Sequence, residues 1–301
     1  MTSELPTNIP AYLEQLRQAL AGADPALVQD ALYDAEEYLR SEMADNLDQS
    51  EAQVIAAVAS SYGAPEEVAD IYRDTEAKVQ TALRAPPPRR RKSAVGRFFG
   101  VAADPRAYAA LFYMVLSLAT GLFYFIWVVT GTSLSAGFSV LIIGIPFLIL
   151  FLGSIRMLSL LEGRIVEVML GERMPRRPLY GHRDRPLLER IKDMFLDPRT
   201  WSTVVYFLAM LPLGIAYFAM AVGLVSLSLS LTLAPLALLP GVHVSVWIFG
   251  IDIPAQAPWV FPLLSVAGVL LLFSTLHLAR GIGRLHGRFA KHLLVKWAQY
   301  T

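Results

Sequence analysis

Few residues in this 301-residue chain combine the types and spacing that chemistry requires. His243 and Asp252 fall in one segment and could meet across a short hairpin, as an acid–base pair or as two ligands of a metal. A pair of this kind serves more often as a polar contact, and no third group accompanies it. His277 stands three residues before Arg280, while His286 and His292 share a stretch with Arg284, Arg288 and Lys291 that reads as an interfacial helix. Cysteine is absent, which excludes disulfides, thiolate metal sites and cysteine nucleophiles. These residues predict no catalytic group, no metal and no cofactor. The cationic run Arg89, Arg90, Arg91 and Lys92, with Arg97, suits another chemistry. It can attract anionic lipid at about 1 kcal/mol per side chain, or tether an acidic surface. His243, Trp247 and Asp252 are the candidates for sensing a stimulus on the outer side.

The elements that position these groups come from a duplication. Asp104-Pro105-Arg106 recurs as Asp197-Pro198-Arg199, and a shift of 93 residues superposes Tyr113 on Tyr206, Gly121 on Gly214 and Tyr124-Phe125 on Tyr217-Phe218. Further on the shift becomes 124, which brings Arg156 onto Arg280 and Gly163-Arg164 onto Gly287-Arg288. The second copy therefore carries a 31-residue insertion. Each aspartate suits a helix N-cap with proline at the first helical position. Tyr108 and Trp201 suit an aromatic belt, and Gly121 and Gly214 suit close helix packing. Short amphipathic stretches, with Val95, Phe98 and Phe99 in one copy and Leu187 to Phe195 in the other, precede the caps.

Composition places these repeats in lipid. The chain is 55% hydrophobic with a mean hydropathy of +0.47. A bilayer core of about 30 Å needs roughly 20 apolar residues, and four windows qualify: 107–130, 136–160, 201–224 and 258–279. No charge falls between Ala107 and Ile155, and only Asp252 falls between Thr200 and Ala279. Lys and Arg collect in three flanking segments, which the positive-inside rule places in the cytoplasm. The expected topology has both termini cytoplasmic, in the inner membrane. A fifth span over Val225–Gly250 would put the basic tail outside, and Pro235, Pro240 and Gly241 argue against it. That segment reads as an external or re-entrant insertion containing a short hairpin.

Residues 1–84 carry sixteen carboxylates against five Lys and Arg, a net −11, whereas the remainder is +12. Four helices are expected in this head. Their apolar faces run through Leu13, Leu16 and Leu20, then Leu27, Ala31, Ala35 and Leu39, then Val54, Ala57 and Val58, and last Val68, Ile71 and Tyr72. Ser50 and Gln53 form a capping box. The acidic residues read first as solvated faces and second as a docking surface for a basic partner. Ala85 to Lys92 is a proline–arginine boundary. The expected division is an acidic cytoplasmic helical domain at 1–84, a linker with an interfacial helix at 85–103, and a duplicated membrane domain at 104–301. The fold class is all-α.

The segment from Tyr12-Leu13-Glu14-Gln15-Leu16 to Gly63-Ala64-Pro65-Glu66-Glu67-Val68-Ala69 resembles the HAAS type of helical signalling domain. From Asp104 to about Leu294 the chain resembles the bacterial Putative sensor domain, through Gly144-Ile145-Pro146, Glu162-Gly163-Arg164, Asp197-Pro198-Arg199-Thr200-Trp201 and His277-Leu278-Ala279-Arg280. These resemblances imply a bacterial signalling role, with PadR-type helix-turn-helix repressors as partners of the HAAS domain. They imply no catalytic residues. The expected function is therefore a membrane signal transducer in transcription regulation, coupling an envelope stimulus to a PadR-type regulator, with no direct nucleic-acid contact. A homo-oligomer is compatible with it. The alternative is a non-catalytic accessory subunit of a membrane exporter. Transport by this chain alone is disfavoured, because no ionisable group lies mid-span.

Overall fold

Three N-caps start the helices of the head. Asn8 accepts from the Ala11 amide at 2.8 Å, and Asp24 accepts from the Ala26 amide at 2.9 Å. Gln53 reaches back to the Ser50 amide at 3.0 Å, as a capping box requires. From these caps run α1 (Ile9–Ala19), α2 (Pro25–Asp45) and α3 (Glu51–Ser61), followed by α4 (Pro65–Leu83). The computed structural model describes residues 6–83, 93–138, 144–177, 192, 195–239, 247–248, 251–252 and 257–295.

Leu13, Leu16, Leu20, Leu27, Ala31, Ala35 and Leu39 join Val54, Ile55, Val58, Val68 and Ala69 in one buried core. Two expected core positions instead face outward. Ile71 is 59% exposed and Ala57 is exposed. The inward face of α4 passes through Val68, Ala69 and Tyr72, and that of α3 through Val54, Ile55 and Val58. Tyr12, fully buried, donates its hydroxyl to the Gly63 carbonyl at 2.7 Å and so ties α1 to the turn before α4. Gly63 adopts φ 123°, which only glycine takes without strain. Tyr12→Phe is expected to cost about 1 kcal/mol, seen as faster amide exchange across α1 in the full chain.

After the head come α5 (Ala94–Phe99), a 3-10 turn (Gly100–Ala103), α6 (Pro105–Phe138), α7 (Gly144–Leu170), α8 (Pro198–Thr232), a second 3-10 turn (Ala234–Leu238), β1 (Trp247–Ile248), β2 (Ile251–Asp252) and α9 (Val260–Leu294). Four of these, α6 to α9, are long and apolar enough to cross a bilayer, with mean hydropathies of 2.0 to 2.1. Phe112, Leu150, Val205 and Leu263 stay exposed on them, as lipid-facing side chains do. The chain is a multi-pass membrane protein and, among the described residues, is all-α apart from the two-residue antiparallel pair β1–β2. The helix boundaries differ from the expected windows. Helix α6 extends to Phe138 and so includes Ala136, and α8 runs on to Thr232.

The chain forms two compact units, one of Met1–Ala85, Val128–Tyr206 and Gly287–Thr301, the other of Pro86–Trp127 and Phe207–His286. In the second unit the duplication appears as reciprocal contacts. A Cβ on Gly121 would lie 2.3 Å from the Met210 carbonyl oxygen, and one on Gly214 would lie 2.3 Å from that of Ser117. Ser117 and Met210 are counterparts under the same shift as the glycines. Helices α6 and α8 thus cross like the two halves of an isologous dimer. Arg280 reaches the N-cap Asp104 at 3.0 Å in this unit, and Arg156 reaches the N-cap Asp197 at 2.9 Å in the first. Each repeat's arginine holds the cap of the other repeat.

Candidate functional site

Helix α7 ends in a left-handed cap. Gly171 takes φ 73° and its amide donates to the Glu167 carbonyl at 3.1 Å. The chain then leaves the helix as Glu172 to Arg177, and this short segment carries three arginines in the first unit, alongside the head. Arg173 is 8% exposed. Its Nη2 donates to Asp30 of α2 at 2.9 Å, its Nε to Glu76 of α4 at 3.1 Å, and its Nη1 lies 3.4 Å from Glu167 of α7. One side chain therefore joins two helices of the head to a membrane-length helix.

Neighbouring groups complete the charge balance. The amides of Arg176 and Arg177 donate to Asp30 Oδ1 at 2.7 and 2.8 Å. The Arg177 guanidinium meets Asp34 at 2.8 Å, and Arg164 and Arg176 each meet Glu167 at 3.1 Å. Arg164, Arg173, Arg176 and Arg177 are thus set against Asp30, Asp34, Glu76 and Glu167, four cations to four carboxylates. Burial pushes the Asp30 carboxyl above the ordinary carboxylate range, against the pull of the Arg176 and Arg177 amides and of Arg173. Its desolvation penalty is therefore full at neutral pH and is relieved as pH falls through that raised pKa. Burial also opposes the charge on Arg173, but Asp30, Glu76 and Glu167 outweigh it and hold its pKa above the usual value.

A second row of contacts involves α8 and α9. Gln29 of α2 donates to the Arg177 carbonyl at 2.6 Å and accepts from Arg199 at 2.8 Å. Asp24, already the cap of α2, also takes Lys291 of α9 at 2.6 Å. The head therefore touches the C-terminal end of α7, the N-terminal end of α8 and the C-terminal end of α9.

The residues singled out from sequence fall differently. Arg89, Arg90, Arg91, Lys92 and His243 lie outside the described residues. Among the described residues, the cations outside the head that meet head carboxylates are Arg173, Arg177 and Lys291. Arg97 is exposed on α5. Trp247 stands opposite Asp252 in the β1–β2 pair, which is the short hairpin anticipated there. His277 accompanies the Phe98 carbonyl at 3.0 Å and stacks on the Phe98 ring. His286, expected at an interface, is 1% exposed and lies 2.6 Å from the Tyr113 hydroxyl. Its counterpart under the duplication, Glu162, takes the Tyr206 hydroxyl at 2.9 Å. Sequence reasoning missed Arg173, Asp30 and Glu76. One signal was present: Ala26, Asp30 and Asp34 form a stripe beside the core row Leu27, Ala31 and Ala35, so α2 has more than one face to cover.

Family comparisons agree with this architecture. A HAAS model matches residues 11–71, and the model described as Putative sensor matches residues 113–294. No curated protein and no solved structure matches the chain. The Sensor match covers more than half of the sequence and takes in all of α7 and α8, while the HAAS match takes in the helix that carries Asp30. The chain belongs to the Putative sensor family, with a HAAS domain ahead of it, and is a membrane sensor and regulatory protein.

Proposed function

We propose that this protein is an inner-membrane signal transducer whose HAAS head is held by Arg173 in one state and released to a soluble partner in another. The head, the α7–α8 connection and both termini are cytoplasmic in this reading, and the insertion after Thr232 faces outward. The uneven distribution of Lys and Arg supports that orientation. The observation that carries the proposal is the ion-pair cluster joining Asp30 and Glu76 to Arg173 and Glu167. Moving a two-state switch from 1:99 to 99:1 takes about 5.5 kcal/mol. Removing one partner of a buried pair costs about 3–5 kcal/mol because the other charge is stranded, so loss of the Arg173 contacts is large enough to supply most of such a shift. A stimulus acts by binding one state more tightly than the other.

The partner suggested by the HAAS domain is a PadR-type repressor, which the freed acidic head would bind as protein, without touching DNA itself. Co-purification from detergent tests this. A DNA-binding repressor is expected to be recovered in greater yield with Arg173→Gln than with the wild-type chain. Equal recovery from both, or recovery after deletion of residues 1–82, would remove the head from the output.

A further inference from the structure

Against Gln29 lies a cavity of about 70 Å³ with a mixed lining, in which Gln29, Arg156, Ser159, Arg199, Thr200 and Thr203 stand among six apolar residues. Arg199 is the unusual member. Like Arg173 it is 8% exposed, and these are the two buried arginines among the described residues. Arg173 meets three carboxylates, whereas Arg199 meets none within 4 Å among the described residues. Its Nη1 donates to the Gln29 amide oxygen and its Nη2 to the Val295 carbonyl, each at 2.8 Å, and both acceptors are neutral. Its Nε is inaccessible to solvent and has no hydrogen-bond partner. Asp197 attracts this cation from nearby, but its oxygens bond the Arg199 amide at 3.0 Å and Arg156 at 2.9 Å and not the Arg199 guanidinium. The counterpart Arg106 is only half-buried. A buried cation with no carboxylate bonded to its guanidinium is unfavourable, and Arg199 lines a space that can receive an anion.

We infer that this cavity binds a phosphoryl group, with Arg199 as its principal partner and Arg156, Ser159 and Thr203 around it. The volume equals roughly five to seven water-sized sites, which accommodates a tetrahedral five-atom anion. Several donors on different elements suit an acceptor with oxygens in several directions. Trp201, half exposed two residues on, donates to the Phe195 carbonyl at 2.8 Å and suits the membrane–water boundary, where lipid phosphates lie. The source is either a phospholipid headgroup or a soluble phosphate compound. Because Gln29 of the head forms one wall, occupancy favours the docked head, a consequence that rests on the proposed latch.

The test uses the full chain, delipidated in a phosphate-free maltoside detergent, and reads thermal stability. Inorganic phosphate is titrated in one arm and phosphatidylglycerol is doped into the micelles in the other, against chloride at equal ionic strength. A saturable rise in Tm is expected. A rise with phosphate identifies a soluble source, and a rise with the lipid alone identifies a headgroup. Arg199→Gln and the cavity-filling Ser159→Leu are each expected to weaken that response about tenfold or more. No saturable rise with either probe overturns the inference, as does a wild-type response from a folded Ser159→Leu. Release of the head by Arg173→Gln is scored separately, so a failed latch and a failed phosphoryl site give different results.

Discussion

Replacing Arg173 by glutamine is expected to free the head while leaving its fold intact. The substitution strands Asp30, Glu76 and Glu167 together without their shared cation. Removing one member of a buried ion pair costs about 3–5 kcal/mol, or two to four orders of magnitude in the ratio of docked to free head. The core of the head contains none of these groups and should keep its amide protection. Limited proteolysis is expected to cut between head and α5 far faster in Arg173→Gln than in wild type. Asp30→Asn should behave similarly. One of its atoms would still accept from the Arg176 and Arg177 amides, but the other would point a donor at Arg173. Glu37→Gln removes the same unit of charge from the exposed side of α2 and should change nothing.

The second large effect is expected at the crossing of α6 and α8. A side chain at Gly214 would place Cβ 2.3 Å from the Ser117 carbonyl oxygen, and backbone cannot give way without moving the whole helix. Gly214→Ala is therefore expected to cost about 1–3 kcal/mol through overpacking, and Gly214→Leu more. Gly121→Ala should match Gly214→Ala, because its Cβ would meet the Met210 carbonyl at the same 2.3 Å. Gly223 has nothing within 4 Å of an added Cβ, so Gly223→Ala serves as the neutral control. Helical melting in detergent reads all four. Unequal losses at the two reciprocal glycines would contradict the two-fold character of the crossing.

The parts of this architecture that depend on local pattern were legible in the sequence. Asp104 and Asp197 each cap the Arg amide two residues on at 3.0 Å, Gly121 and Gly214 sit at the close approach, and four apolar runs became four long helices. The docking contact was not legible, for a physical reason. A carboxylate on a solvated helix face and one on a docking face have the same periodicity, so Asp30 and Glu76 looked like the other acids of the head. By pattern alone Arg173, Arg176 and Arg177 belong to the cationic flank of a span, which hides their second role as partners of those acids. Ile71 failed in the opposite sense. It is large and apolar but lies off the face of α4 that Val68, Ala69 and Tyr72 turn inward.

The reactivity of a single engineered thiol tests the latch most directly. The chain has no cysteine, so Gln29→Cys would report alone. Gln29 is 8% exposed and its contacts are Arg177 and Arg199, so its burial comes from the membrane body. Leu47→Cys, at a position 86% exposed, supplies the reference rate. In native membranes the thiol at position 29 is expected to react with a maleimide far more slowly than the reference, and to approach it when Arg173→Gln is added. Reaction at the reference rate with Arg173 intact would contradict the docked head.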